Sequence, residues 1–130
     1  MDRKVSLFLR YLRWSNERFP IAGALLIAGF LFYVPYCFGG LLGNQSQPSY
    51  MAGIPGMFVI FLVLLHMRIF DEHKDFDKDV VAYPGRILSQ GILTLKHLRY
   101  LLYIVLAIEI GISFSIGWTQ LFIWIGIMVW

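Results

Sequence analysis

RIFDEHKDFDKDVVAYPGRILSQGILT, residues 68–94, is the stretch whose reading decides the fold. It follows an apolar run and holds Asp71, Glu72, Asp75, Asp77 and Asp79, five of the eight acidic residues in the chain. A helix continuing through it advances about 100° per residue. With Asp71 at zero, Asp75 falls at about 40°, Arg68 at about 60°, Asp79 at about 80° and Glu72 at about 100°. Asp77 falls on the far side. Four carboxylates and one arginine therefore share one face. Like charges at this spacing destabilise a bare helix, so the face calls for neutralisation. Hard divalent cations with oxygen ligands are natural candidates. The plainer reading is a solvated, charged helix end at a membrane surface, and spacing alone leaves both open. A calcium loop is excluded, because Val80 stands where the turn glycine belongs and Arg86 where the last glutamate belongs. No Asp-Gly-x-x-Ala-Arg string of the phosphatidyltransferase type is present.

Outward from this stretch, the chain is built for a bilayer. It is 58% hydrophobic and 15% charged, with a mean hydropathy of +0.68. Between Arg18 and Arg68 there is no Asp, Glu, Lys or Arg. About 20 apolar residues span the hydrocarbon of a membrane. The net charge of +3 is small and lies at the flanks of the apolar runs, which argues against nucleic acid as a partner. The single Cys37 allows no disulfide within the chain.

The expected fold class is all-α, a multi-pass transmembrane helix bundle. Residues 1–19 form a basic arm, with Arg3, Lys4, Arg10, Arg13 and Arg18 among apolar residues suited to lie along the headgroups. A first span covers 20–42, with Pro20 in its first turn, Pro35 as a source of a kink, and Gly23, Ala24, Ala28 and Gly29 open to close helix approach. A polar loop follows at 43–50. The second span covers 51–70, and 71–97 holds the acidic motif, a turn at Tyr83-Pro84-Gly85, and a loop. A third span covers 98–117. Trp118-Thr119-Gln120 reads as a short connection, and 121–130 begins a fourth helix that stops before it could cross. His66 lies off the acidic face and reads as interfacial; Asp77 and His73 read as solvated.

Orientation follows from the Lys and Arg positions. The arm carries five and the 68–99 region carries Arg68, Lys74, Lys78, Arg86, Lys96 and Arg99, while 43–50 and 118–120 carry none. Both basic segments are expected on the cytoplasmic (or matrix or stromal) side.

Residues 71–79, DEHKDFDKD, resemble the first aspartate-rich motif of the UbiA prenyltransferase family, Asn-Asp-x-x-Asp-x-x-x-Asp. Asp75 and Asp79 match outright, Asp71 stands in the Asn position, and Glu72 in that of the first Asp. Residues 86–94, RILSQGILT, are similar to the family's Arg-Pro-Leu-x-x-Gly-x-x-Ser/Thr segment, with Ile87 in place of proline. The resemblance implies a bundle of about nine transmembrane helices, of which this chain would supply about the first three to four. It implies Mg²⁺-dependent transfer of a polyprenyl group from its diphosphate to an acceptor, usually aromatic. Asp75 and Asp79 would be the principal carboxylates, with Asp71 and Glu72 completing the metal side. Arg86 and Arg68 would contact the diphosphate; for Arg68, neutralising Asp71 and Asp75 is an equal alternative. No second aspartate-rich motif is present here, so the chain is expected to carry half a site.

Two other functions compete: half of an ion-coupled transporter, and a non-catalytic membrane scaffold of the same fold. Glu109 bears on this, as the only acidic residue inside a span. A carboxylate there costs at least about 2.5 kcal/mol, so it should face the bundle interior. It reads either as a polar group at a cavity or as a protonated residue joining helices, with Ser113 one turn away as its expected partner.

Overall fold

The computed structural model describes residues 6–43 and 49–129, and among them every regular element is an α-helix. Helix α1 covers Leu7–Arg18, α2 Ile21–Leu42, α3 Tyr50–Ala82, α4 Leu95–Ile116 and α5 Trp118–Val129. Three of them (α2, α3 from Gly53 onward, and α4) are long and apolar enough to cross a membrane. They give the chain the build of an integral membrane protein. Residues 1–5 of the basic arm, most of the 43–50 loop and Trp130 lie outside the described residues.

Helix α3 is one uninterrupted element where the sequence suggests a span and then a motif. Its 33 residues measure about 50 Å, against about 30 Å of hydrocarbon. The surplus of roughly four turns carries the acidic stretch beyond the apolar part. Helix α3 continues through Pro55, its sixth residue, which supplies no N–H to the Met51 carbonyl one turn earlier. Helix α2 likewise remains helical through Pro35.

The chain folds as α2 against α3, α3 against α4, and α4 against α5. Ala24 and Ala28 are buried on α2, as the small-residue stripe predicts, and Gly29 sits beside Met57. Gly23 has no close neighbour and is not part of that contact. At the other end, a Cβ on Gly56 would land on the Phe32 ring, so this glycine is what lets α3 pass the aromatic group of α2. Phe32, Tyr33 and Tyr36 pack together there, and Tyr33 donates a hydrogen bond to the Tyr50 carbonyl at 2.7 Å.

Most of the buried apolar core is gathered where α1, the 83–94 loop and the adjoining ends of α2, α3 and α4 meet. It comprises Trp14, Phe19, Ala24, Ile69, Leu88, Leu93, Leu98 and Leu102. Along the spans, large apolar residues such as Leu26, Phe30, Ile104 and Phe114 remain exposed. This division follows from the solvent. Water drives apolar burial at the helix ends, whereas lipid tails accept the same side chains along the spans.

Three local expectations are revised. Helix α1 is not simply laid along a surface, because Trp14 and Ser15 are buried and Tyr11 donates to the His97 carbonyl at 2.7 Å. Burial raises the pKa of the Tyr11 hydroxyl and keeps it a donor. Pro20 caps α2 from outside rather than entering its first turn. The α4–α5 connection is Gly117 alone, with φ at 151°, so Trp118, Thr119 and Gln120 already belong to α5. A residue without a Cβ reaches that backbone conformation freely, which allows so short a turn.

Candidate functional site

The carboxylate face of α3 is split by what packs against it. Glu72 and Asp79, at the inner edge of the arc, turn toward α1 and the 83–94 loop. Asp71 and Asp75, at its outer edge, look outward. Glu72 is 4% exposed, and its Oε1 accepts from Arg18 Nε at 2.6 Å and from Arg68 Nη2 at 2.5 Å. Asp79 Oδ2 accepts from Arg18 Nη2 at 3.0 Å and from Arg86 Nη1 at 2.5 Å. Arg18 thus bridges both carboxylates. A buried carboxylate needs this kind of company, since an unpaired charge removed from water is costly.

Local structure explains how each arginine arrives. Arg18 ends α1, one turn after Trp14, whose burial fixes the face that Arg18 extends. The Ser15 hydroxyl donates to the Phe19 carbonyl at 2.8 Å and holds the α1–α2 junction. Arg68 pairs with Glu72 one helical turn on, so its partner is Glu72 rather than the expected Asp71 and Asp75. Arg86 lies over the Tyr83 ring, 3.7 Å from its centroid, which holds the guanidinium toward α3. Its segment is folded tightly. Leu88 and Leu93 enter the core, and Gly91 adopts φ of 68°, where a side chain would be strained. Glu17 accepts from the Ile87 amide at 3.3 Å, and Arg10 donates to the Ile92 carbonyl at 3.4 Å, so α1 clasps this loop.

The outer carboxylates have room. Asp75 is approached only by Lys78, at 3.9 Å, and Asp71 has no ion-pair partner among the described residues. Asp77 is exposed, as expected. His73 is not solvated: its Nδ1–H donates to the Ile69 carbonyl at 2.8 Å, and its Nε2 is buried without a partner.

Two cavities flank Arg18. One has room for about one water and is lined by Trp14, Arg18, Glu72, Asp79 and Arg86. The other is a groove of about 370 Å³ between α2 and α3, with Ala24, Ile27, Leu64 and Met67 on its walls and Arg18, Arg68 and Asp71 among its polar lining.

A second polar cluster lies inside the spans. Glu109 of α4 is fully buried, and His66 of α3, only 3% exposed, places Nδ1 at 2.8 and 3.1 Å from its two carboxylate oxygens. Trp124 of α5 donates from Nε1 to Glu109 Oε2 at 2.9 Å. Glu109 does face the interior, but its partners are His66 and Trp124 rather than Ser113, which is buried nearby on α4. His66 is therefore not interfacial.

No protein-family profile, curated protein or solved structure matches the chain. The UbiA resemblance is carried by the motif residues themselves. Arg18, His66 and Trp124 escape a sequence reading because their partners lie 54 and 61, 43 and 15 residues away, respectively. The one available signal is that Arg18 is the last charge before the long uncharged run.

A Mg²⁺ site can be tested against this geometry. Among the described residues, no group of three or more His, Cys, Asp or Glu side chains is gathered closely enough to hold a metal ion. Mg²⁺ seldom uses such a cage, and is held by one or two carboxylates with substrate phosphates and water. Outward-facing Asp71 and Asp75 meet that requirement as hard oxygen donors, whereas Asp79, one turn further on, is engaged by Arg18 and Arg86. Glu72 is likewise committed to Arg18 and Arg68.

Proposed function

We propose that this protein is a UbiA-like intramembrane prenyltransferase, transferring a polyprenyl group from its diphosphate to an aromatic acceptor, and that this chain carries the first half of the site. One observation supports it above the others. Arg86, from the second segment of the resemblance, pairs at 2.5 Å with Asp79, from the first. Two motifs that resemble the family separately thus meet in space, where α3 extends beyond its apolar part, at the small cavity lined by Arg18, Glu72, Asp79 and Arg86; the apolar groove opens nearer Arg68 and Asp71.

Asp75 and Asp79 would hold Mg²⁺, with Asp71 beside them, and Glu72 would serve that face by anchoring Arg18 and Arg68. Bound there, Mg²⁺ would supply Lewis-acid stabilisation to charge developing on the departing diphosphate. Arg86 and Arg68 would bind and orient the phosphates, for which the planar guanidinium fork is suited. The apolar groove walls would exclude water from the reactive carbon. In the transfer the allylic C–O bond breaks, diphosphate leaves, and the acceptor carbon forms the new bond and loses its proton. The basic segments would lie on the cytoplasmic (or matrix or stromal) side.

Direct binding tests this reading. Geranyl diphosphate should be retained by the membrane-embedded protein in a Mg²⁺-dependent manner, and Arg86→Gln should weaken retention by about tenfold or more. Retention that is equal with and without Mg²⁺, and equal in the variant, would refute it. The buried His66–Glu109 pair is the observation favouring the ion-coupled alternative. Ion flux in proteoliposomes that Glu109→Gln abolishes would establish that reading instead.

A further inference from the structure

The carboxylate face at the end of α3 leaves one cluster of ionisable groups unused, inside the spans. With Asp71 at zero, His66 falls about 140° away, so it meets α4 instead of joining that face. Its Nδ1 stands 2.8 and 3.1 Å from the two oxygens of Glu109, and Trp124 Nε1 donates to Oε2 at 2.9 Å. A carboxyl group met by nitrogen at both oxygens, one of them the donor-only indole N–H, has the pattern of an ionised acceptor. His66 Nδ1–H then donates to it, and Nε2 is the ring nitrogen left to gain or lose a proton. His66 is 3% exposed and Glu109 is fully buried, with the Phe70 ring edge-on to the imidazole at 5.8 Å.

Charge decides which form the imidazole takes. Helix α5, which supplies Trp124, carries no Asp, Glu, Lys, Arg or His, and neither does α2. On α3, Arg68 is turned to Glu72 on the other face. On α4, Lys96 and Arg99 are exposed and lie at least about 15 Å before Glu109 along the helix, and Ser113 offers only a hydroxyl. A neutral imidazole would therefore leave one uncompensated negative charge in the hydrocarbon, which is costly. An imidazolium cancels that charge and strengthens the Nδ1–H contact.

We propose that His66 and Glu109 form a proton-binding site within the membrane, where the pair takes up one proton and holds it as an imidazolium–carboxylate unit. The proton enters and leaves through His66 Nε2. On uptake an N–H bond forms at Nε2 and the pair becomes neutral. On release the proton passes to water and the pair keeps one negative charge. Trp124 is a positioning residue, holding the carboxylate toward His66 from α5. The site is independent of prenyl transfer.

Magic-angle-spinning NMR of the full chain in lipid bilayers at neutral pH, with ¹⁵N-labelled histidine and ¹³C-labelled glutamate, tests this. His66 is identified among the three histidines by a through-space contact from its ring to a glutamate carboxyl carbon. It should carry hydrogen on both ring nitrogens, facing Glu109 as a carboxylate. A single protonated ring nitrogen would overturn the proposal, whichever nitrogen it is. Glu109→Gln, which removes the countercharge, should leave His66 with one; retained double protonation would show that Glu109 is not what holds the proton. Trp124→Phe keeps both members of the pair and gives a second answer should Glu109→Gln misfold. It should retain both ring hydrogens, and loss of one would show that the pair alone does not hold the proton. In the unsubstituted protein moved into heavy water, Nε2–H should exchange faster than Nδ1–H, and equal or slower exchange would overturn the assignment of Nε2.

Discussion

Replacing Glu109 with alanine should be among the most damaging single changes in the spans. The side chain is fully buried, with His66 Nδ1 at 2.8 Å from Oε1 and Trp124 Nε1 donating to Oε2 at 2.9 Å, so it joins α3, α4 and α5 through one carboxyl group. Alanine leaves both ring nitrogens without this partner, and each buried unsatisfied group costs about 1–3 kcal/mol. Breaking a buried pair by removing one partner costs about 3–5 kcal/mol, so Glu109→Ala and His66→Ala should each fall in that range. Trp124→Phe should cost only about 1 kcal/mol, because His66 still satisfies the carboxylate. Glu109→Gln should be intermediate, since its amide oxygen can accept from Trp124 while its NH₂ suits only a His66 Nδ1 that lacks a proton. Reversible unfolding in mixed micelles by rising dodecyl sulfate measures these differences. The double variant His66→Ala/Glu109→Ala should be less destabilised than the sum of the singles, by about 2 kcal/mol or more. Interhelical hydrogen bonds in membranes average only about 0.6 kcal/mol, and additive costs of that size would refute the coupled-pair account.

Two further outcomes follow from the packing and from the distribution of carboxylates. Gly56→Ala should destabilise the α2–α3 contact by about 1–3 kcal/mol, because its Cβ would land on the Phe32 ring; dodecyl sulfate unfolding indistinguishable from wild type would contradict that packing. The 130-residue chain alone should give no prenyl transfer from a polyprenyl diphosphate, since its acidic motif lies on one helix only; product formation by the purified chain would show that it needs no second motif.

The spans were legible because the bilayer imposes a length and forbids stray charge. The uncharged run between Arg18 and Arg68 could be divided into α2 and the apolar part of α3 from the polar loop at 43–50 alone. Continuation of α3 through Asp79 follows from the i, i+4 spacing of Asp71, Asp75 and Asp79. The site was legible only in part. Periodicity assigns Glu72 and Asp79 to one face of their own helix, but it cannot say that α1 would meet the inner edge of that face and leave Asp71 and Asp75 outside. The partnership of Arg18 with both carboxylates arises from the α1–α2 junction, which local pattern does not encode. The place of His66 is hidden for a related reason. Periodicity sets it off the acidic face, and that direction leads to Glu109 on α4 rather than to the membrane surface.

We propose that Asp75 and Asp79 serve Mg²⁺-dependent prenyl transfer, and paired single substitutions in a membrane protein that contains this chain test the proposal most directly. Transfer from a polyprenyl diphosphate is measured for Asp75→Ala, Asp79→Ala and Asp77→Ala at matched membrane expression. Loss of a metal-holding carboxylate should lower turnover by about a hundredfold or more, whereas exposed Asp77, on the opposite side of the helix, should retain most of it. Near-normal turnover in both Asp75→Ala and Asp79→Ala, or an equal loss in all three, would contradict the account.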